Sequence, residues 1–285
     1  MSTPPFLTLP RCARALRLET VRGSFAALLA EPAGPVLGTA LLVPGFTGSK
    51  EDFIALLEPL AAAGYRVAAV DQRGQYESGG PADAEAYRIG ELAADVQALS
   101  TVLGGEGPLH LLGHSFGGQV VRESVLTARG ALPWRSLTLL STGPGAIDPA
   151  EAARTKLLLD VLPSMDLEAI WQVMQQMEQD SGSAPAVRPE IADFLHRRWV
   201  ANVPQALTAM GEHLVSAPDR VAELAAVALP MQVVCGVRDY AWPVEEQAAM
   251  ARRLGARHVV VPEAGHSPNA EHPAVTAAAL ASFWG

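Results

Sequence analysis

The stretch Gly113-His114-Ser115-Phe116-Gly117 follows the short apolar run 107–112 and precedes a helical pattern over 118–129. A serine between two glycines at a strand-to-helix turn is typical of a nucleophile elbow, in which a strained turn lifts the hydroxyl to the edge of a sheet. Glycines flank the serine because larger side chains there would collide with the adjoining strand and helix. The motif alone is a weak signal, since a glycine-rich turn can also carry an ordinary surface serine. The flanking strand and helix favour a nucleophile at Ser115.

Two later loops offer the partners that a nucleophilic serine needs. A serine hydroxyl reacts poorly at neutral pH unless a base takes its proton, and the base needs an orienting acid. Asp239 follows the strand-like apolar run 231–236, and His266 follows a second such run at 256–261. Side chains on loops that follow parallel strands converge at the carboxyl edge of a sheet. The pattern therefore predicts Asp239 as the acid and His266 as the base.

Other residues of the same types compete for these two roles. Asp148 follows the apolar run 137–140, but it also precedes a proline and a helical pattern, which N-capping explains. His272 likewise precedes a proline and an alanine-rich helix, which favours a position in the first helical turn. We expect the side chain of His114 to pack inside the elbow. The two loop residues named above are therefore favoured over these three.

Together these motifs resemble those of the α/β-hydrolase superfamily, in its capped, esterase-like branch. The resemblance reaches from near residue 25 to the end of the chain. The motifs stand in the order typical of the family: PGFTGS at 44–49, DQRGQYES at 71–78, GHSFGG at 113–118, GVRDYAWP at 236–243 and GHSP at 265–268. Five motifs in one order are far more specific than any one of them.

The resemblance implies a role for each of these loops. It makes Ser115 the nucleophile of a Ser-His-Asp triad with His266 and Asp239, since the family places its acid and base after the serine in that chain order. It also implies an oxyanion hole made by the backbone amides of Phe46 and Phe116. No metal and no organic cofactor are expected.

Two positions depart from the pattern of the family. Pro44 stands where the family usually has a histidine before the glycine, which affects the hydrogen bonds that brace the oxyanion loop. The amide donor itself belongs to Phe46 and is unaffected. Tyr76 stands where the second glycine of the D-x-R-G turn is usual, which indicates a different turn and an aromatic wall near the site.

The apolar runs and the segments between them predict the fold class. Central strands are expected at 38–43, 66–70, 108–112, 136–140, 231–235 and 257–261. Helical patterns such as 89–103 separate most of these strands, and this alternation predicts a mostly parallel sheet with helices on both faces. The segment 17–29 predicts an antiparallel hairpin at one edge. The chain is therefore expected to be an α/β protein with the α/β-hydrolase fold and an eight-stranded sheet.

The interval 146–216 breaks the alternation of strand and helix. It predicts helices at 150–161, 166–179, 188–200 and 204–216, with a short loop at 181–185. In the family, such an insertion forms a helical cap over the active site. We therefore expect a core domain made of 1–145 and 217–285, with a helical cap at 146–216.

The second helix of this interval carries an apolar stripe at helical spacing, which includes Trp171 and Met174. Most of the stripe is expected to pack the cap onto the core. Methionine and tryptophan also suit an adaptable apolar cavity, so we expect Trp171, Met174 and Trp242 to contact substrate. Four arginines could hold a carboxylate or phosphate, although solvated helix faces are favoured for them: Arg154, Arg188, Arg197 and Arg198.

Composition limits the classes of partner. The chain has 285 residues, 49% of them hydrophobic, and a net charge of −9, so it can bury a sizeable core. The acidic balance argues against nucleic acid and anionic membrane surfaces as partners. The sequence predicts no signal peptide and no membrane insertion. Its two cysteines, Cys12 and Cys235, do not make a disulfide framework, and we expect a cytoplasmic protein.

These observations predict a serine hydrolase that cleaves a carboxylic ester, or a related acyl bond, through an acyl-enzyme. Its partner is expected to be a small to medium, largely apolar acyl substrate. Alternatives on the same scaffold are a C–C bond hydrolase, a thioesterase, acyltransferase or perhydrolase, and a ligand receptor with slow turnover. His114 counts against the C–C hydrolases, which usually have asparagine there. Ser115 counts against haloalkane dehalogenases and epoxide hydrolases, which use an aspartate nucleophile.

Overall fold

A computed structural model describes residues 1–105, 107–180 and 187–285. Within these ranges, eight strands form one sheet in the order β1-β2-β4-β3-β5-β6-β7-β8. The strands are β1 (Ala13–Thr20), β2 (Gly23–Ala30), β3 (Gly38–Val43), β4 (Tyr65–Val70), β5 (Leu109–His114), β6 (Trp134–Leu140), β7 (Met231–Gly236) and β8 (Arg257–Val261). Strand β2 runs antiparallel to both of its neighbours, and the other pairs are parallel. The predicted sheet, with its hairpin at one edge, is confirmed.

The same ranges contain α-helices that connect most of the parallel strands. They are α1 (Ile54–Ala62), α2 (Ile89–Leu103), α3 (Phe116–Thr127), α4 (Pro149–Val161), α5 (Leu167–Asp180), α6 (Pro189–Val200), α7 (Pro204–Ser216), α8 (Val221–Ala225), α9 (Val244–Leu254), α10 (Pro268–Glu271) and α11 (Pro273–Trp284). Two short 3-10 turns lie at Lys50–Phe53 and Ala84–Tyr87. No helix among the described residues combines the length and apolar character needed to cross a membrane.

The central strands are buried on both faces, which is why they are continuous apolar runs in the sequence. Successive side chains of a strand point to opposite faces. In β3, Leu41 and Val43 belong to the core that packs against α2 and α3. Ala40 and Leu42 belong to the core on the other face, against α1 and α11. Because helices cover both faces of the sheet, only its edges stay open. The predicted site residues meet at the edge formed by the carboxyl ends of the parallel strands.

Five of the described helices, α4 to α8, lie between β6 and β7, and the first four fall in the interval where the sequence predicts the insertion. These four share an apolar cluster of their own, formed by Leu162, Leu167, Ile170, Trp199 and Leu207. The loop predicted at 181–185 lies outside the described residues. The division of the chain into a core domain and a cap stays a prediction.

Three histidines are wholly or partly buried inside the fold. Burial lowers the pKa of His110 to about 4, with a further contribution from Arg135. Burial lowers the pKa of His114 to about 3, assisted by His266, and it lowers that of His213 to about 4, assisted by Arg122. In the unfolded chain these side chains take up protons near pH 6.5. The folded protein therefore binds fewer protons than the unfolded chain in mildly acidic solution.

We expect the free energy of unfolding to be independent of these histidines above pH 6.5 and to fall as the pH drops toward 4. Each one contributes a slope of about 1.4 kcal/mol per pH unit within that window. Urea unfolding at a series of pH values measures the slope, and His110→Phe is expected to remove one histidine's share. Ser136→Ala is the control, because it removes the hydroxyl that lies 2.8 Å from His110 Nδ1 but keeps the titrating ring. An unchanged slope in His110→Phe would contradict the expectation.

Candidate active site

Ser115 lies at the turn between β5 and α3, in a backbone conformation that side chains rarely adopt. Its φ is 55° and its ψ is −123°, which is strained for a residue with a Cβ atom. Its N–H donates to the carbonyl of Leu140, at 2.9 Å, which anchors the turn to β6. A Cβ atom on Gly113 would collide with the backbone of Gly117, and one on Gly117 would collide with the backbone of Pro44. Glycine is therefore required at both positions, because the neighbouring backbone leaves no room for a Cβ atom.

The structure brings the three predicted site residues together in one hydrogen-bonded chain. The Nε2 atom of His266, on the loop after β8, lies 2.9 Å from Ser115 Oγ. The Nδ1 atom of His266 lies 2.8 Å from Oδ1 of Asp239, on the loop after β7. A carboxylate beside Nδ1 favours the tautomer with its proton on Nδ1, which leaves Nε2 able to accept a proton from the hydroxyl.

Asp239 is buried, and both of its carboxylate oxygens accept hydrogen bonds. Its Oδ1 also accepts from the amide of Ala241, at 3.0 Å, and its Oδ2 accepts from Nε2 of Gln247, at 2.9 Å. Burial raises the pKa of Asp239, but His266, Gln247 and Ala241 together outweigh it and hold that pKa below its usual value. Sequence analysis missed Gln247. It lies on α9, eight residues after Asp239, and only its position on the buried side of an amphipathic helix could have indicated it.

Asp148, the competing acid, caps α4. Its Oδ1 accepts a hydrogen bond from the amide of Ala150, at 2.8 Å, as predicted. His114 does more than pack inside the elbow, because its Nε2 lies 2.8 Å from the carbonyl oxygen of His266. With its pKa lowered to about 3 by burial and by His266, His114 stays neutral and donates to that carbonyl. It therefore ties the loop that carries His266 to the elbow.

The two residues predicted to supply amide donors lie on segments that meet at Ser115. Gly45 approaches the elbow so closely that a Cβ atom there would lie 2.9 Å from Ser115 Cβ and 3.3 Å from its Oγ. The next residue along the loop is Phe46, and Phe116 opens α3. Within the described part of the chain, neither the amide of Phe46 nor that of Phe116 donates to a backbone carbonyl.

A cavity of about 130 Å³ opens beside Ser115. Part of its wall is apolar and includes Phe46, Ile147 and Leu214, while Glu151 and Tyr240 make another part polar. The Tyr240 ring lies 5.2 Å from the His266 ring, between centroids. Helices α4 and α7 thus supply part of the wall. A larger cleft of about 430 Å³, near Pro144 and Arg253, is separate from the serine.

The three residues predicted to contact substrate are not on the wall of this cavity. Trp171 and Met174 pack into the apolar cluster between α5 and its neighbours, and the Trp171 ring lies 5.4 Å from that of His196. Trp242 is fully buried, and its Nε1 donates to the carbonyl of Ala146, at 3.0 Å. Tyr76, the expected aromatic wall, packs edge-on against Phe194 at 5.7 Å. These four side chains pack against other protein groups and do not line the cavity.

Arg198 is not on a solvated helix face, contrary to the expectation from sequence. Its side chain is fully buried on α6, and its Nη1 donates to Oδ1 of the equally buried Asp52, at 2.6 Å. Its Nη2 donates to the carbonyl of Ser2, at 2.7 Å. Asp52 lies in the 3-10 turn that follows the loop 44–49. The pair therefore joins α6 to the turn that follows the loop beside the serine.

The family model described as "Alpha/beta hydrolase family" matches residues 40–279, so the chain belongs to that family. A Bacillus subtilis (strain 168) protein, whose name gives it provisionally as a 2-succinyl-6-hydroxy-2,4-cyclohexadiene-1-carboxylate synthase, is 25% identical over 88% of this chain and 92% of its own. The monoacylglycerol lipase of Mycolicibacterium smegmatis is 26% identical over 78% of this chain and 77% of the lipase. The crystal structure of a hydrolase from Pseudomonas aeruginosa PA01 shares the fold, with a TM-score of 0.75, 23% identity and coverage of 95% of this chain and 98% of that one. Family and relatives support a hydrolase activity.

Proposed function

We propose that the protein is a serine hydrolase that cleaves carboxylic esters of small acyl groups through an acyl-enzyme. The observation that carries the proposal is the chain of short contacts from Ser115 Oγ to His266 Nε2, at 2.9 Å, and from His266 Nδ1 to Asp239, at 2.8 Å. A nucleophile, a base within hydrogen-bond reach and an acid that orients the base are the parts that acyl transfer requires.

In the first step, His266 Nε2 takes the hydroxyl proton while Ser115 Oγ attacks the carbonyl carbon of the ester. The bond between carbon and Oγ forms, and the carbonyl electron pair moves to oxygen. The amides of Phe46 and Phe116 stabilise this oxyanion. The tetrahedral intermediate collapses, the bond to the alcohol oxygen breaks, and His266 returns its proton to the leaving alcohol.

In the second step, water takes the place of the alcohol. His266 accepts a proton from the water, whose oxygen attacks the carbonyl carbon of the acyl-enzyme, and the same two amides hold the new oxyanion. Collapse releases the carboxylic acid, and the proton on His266 returns to Ser115 Oγ. Asp239 stays ionised throughout, because its hydrogen bonds lower its pKa, and it stabilises the imidazolium that forms in each step.

The cavity supports a small substrate. At about 130 Å³, it is smaller than the roughly 300–1,000 Å³ of pockets that enclose drug-sized ligands. Its apolar wall suits a short acyl chain, and Glu151 and Tyr240 suit a polar leaving group. The name of the monoacylglycerol lipase relative favours an ester bond. The proposal includes a cap at 146–216, since α4 and α7 form part of the cavity wall. It also includes a cytoplasmic location, since Cys12 and Cys235 are not paired with each other.

Hydrolysis of a p-nitrophenyl ester series, from acetate to laurate, tests the proposal. We expect turnover to be highest for acetate or butyrate and to fall by more than tenfold at laurate, because a long chain exceeds the cavity. A fluorophosphonate probe followed by peptide mass spectrometry is expected to label Ser115.

The same two measurements distinguish the alternatives. Labelling of Ser115 without turnover of any ester would contradict the ester proposal and favour the carbon–carbon bond hydrolases among the alternatives. Absence of both labelling and turnover would contradict a reactive serine altogether.

A further inference from the structure

The loop 44–49 is held in place by two glutamines of a neighbouring turn. Gln75 Nε2 donates to the carbonyl oxygen of Gly45, at 2.7 Å, and Gln72 Nε2 donates to that of Pro44, at 2.9 Å. Both side chains are buried, with exposed fractions of 1% for Gln75 and 4% for Gln72. Both follow β4, in the segment 71–78, where Tyr76 stands in place of the second glycine usual in the family. The loop thus has a substitute for the bracing that Pro44 cannot supply.

The orientation of the Gln75 amide is fixed at both ends. Its Nε2 faces a carbonyl oxygen, and its Oε1 accepts from the backbone amide of Gln72, at 3.1 Å. If the amide nitrogen and oxygen were exchanged, an oxygen would face the Gly45 carbonyl oxygen and an NH2 group would face the Gln72 N–H. The side chain therefore has one stable position, and that position directs a donor at Gly45.

The contact at Gly45 determines the direction of the Phe46 amide. The carbonyl of Gly45 and the N–H of Phe46 belong to one peptide group, which is planar and trans, so they point in opposite directions. Gln75, at 2.7 Å, anchors this carbonyl oxygen together with the N–H of Gly48, at 3.1 Å, and the anchored oxygen fixes where the Phe46 N–H points. A hydrogen bond accepted by the carbonyl also polarises the group and strengthens the N–H as a donor.

We propose that Gln75 is a positioning residue for catalysis, which aims the Phe46 N–H at the oxyanion formed on Ser115. The inference rests on the proposed function, because an oxyanion arises only if Ser115 attacks a carbonyl. Gln72 has a smaller part, since it anchors the preceding peptide group, whose N–H belongs to Gly45. Neither side chain touches the substrate.

The variants Gln75→Met and Gln75→Glu test this role. Methionine removes the amide at similar length, and glutamate keeps an acceptor for the Gln72 N–H while losing the donor to Gly45. Since removal of a whole oxyanion donor lowers kcat by about 10²- to 10³-fold, we expect a misaimed donor to lower kcat for p-nitrophenyl butyrate by about 10- to 100-fold. KM should change less than twofold. Gln72→Met should show a smaller loss than Gln75→Met.

A butaneboronic acid distinguishes positioning from general stability. It bonds to the serine oxygen as a tetrahedral adduct, so its inhibition constant should rise by the same factor by which kcat/KM falls. Gln119→Met is the matched control, because Gln119 is equally buried and its Nε2 donates to the carbonyl of Gly145, at 2.8 Å. It should lower the melting temperature to a similar extent and leave kcat and boronate inhibition within twofold of wild type.

The outcomes separate this inference from the proposed function. If both Gln75 variants keep kcat and boronate inhibition within twofold of wild type, or lose no more of either than Gln119→Met, the positioning role is wrong. If Ser115→Ala is inactive in the same assay, the proposed function stands whatever the Gln75 variants show. Full ester turnover by Ser115→Ala would overturn the function itself.

Discussion

Replacing Ser115 with alanine is expected to lower kcat/KM for short p-nitrophenyl esters by about 10⁴- to 10⁶-fold, because no other group can form the acyl-enzyme. The cavity and the two amide donors remain, so the variant should still bind short carboxylic acids. Its stability should stay within about 1 kcal/mol of wild type, since alanine keeps the same strained backbone and loses only the contact of Oγ with His266. Initial rates with enzyme quantified by absorbance, together with thermal unfolding, measure both effects.

Ser141 provides a matched control for that substitution. It follows β6, the strand next to β5, it is fully buried, and its φ of 47° is also in the left-handed region. Its hydroxyl makes no hydrogen bond to another described residue. Ser141→Ala should therefore keep wild-type turnover. Equal activity in wild type and Ser115→Ala would show that ester cleavage proceeds without the proposed nucleophile.

Asp239→Asn is expected to lower kcat by about 10³- to 10⁴-fold with little change in KM. All three partners of the carboxylate are donors: His266 Nδ1, the Ala241 amide and Gln247 Nε2. An asparagine has one acceptor oxygen and one NH2 group, so its NH2 must face one of these donors. If the asparagine NH2 faces Nδ1 of His266, the ring proton moves from Nδ1 to Nε2. The Nε2 atom then cannot accept a proton from Ser115. Steady-state kinetics on p-nitrophenyl butyrate give both constants.

Asp148→Asn is the control for Asp239→Asn, because Asp148 is the other acid that the sequence offers. Its carboxylate caps α4 through the amide of Ala150. The variant should lose about 1 kcal/mol of stability or less and keep its kcat. A large loss of kcat in Asp148→Asn, with none in Asp239→Asn, would reverse the assignment of the acid.

Much of the fold was predictable because burial on both faces leaves a local signal. The run 38–43 was predicted as a strand and is β3, since each of its side chains must be apolar on one face or the other. The end of β5 was less predictable. Its pairing with β6 continues to His114, opposite Leu140, although the apolar run ends at 112. Backbone pairing decides such ends, and side-chain hydrophobicity does not reveal it.

The placement of the site was predictable where loops follow strands, and less so where distant segments meet. The structure brings Ser115, Asp239 and His266 together as expected, because the sheet fixes the positions of those loops. Sequence periodicity showed that Trp171 faces inward, but it could not show whether substrate or other helices lie there. Likewise, nothing near Arg198 in the sequence indicates that Asp52 lies 2.6 Å away.

The buried pair of Arg198 and Asp52 also bears on how the protein opens to solvent. Pulling α6 away from the 3-10 turn Lys50–Phe53 would separate two charges that are both fully buried. If one charge stayed buried after its partner moved away, the cost would be about 3–5 kcal/mol, a large share of the roughly 5–15 kcal/mol that stabilises a typical domain. We therefore expect helix α6 and that turn to move as one unit, and openings that admit small molecules to occur where other elements border the cavity.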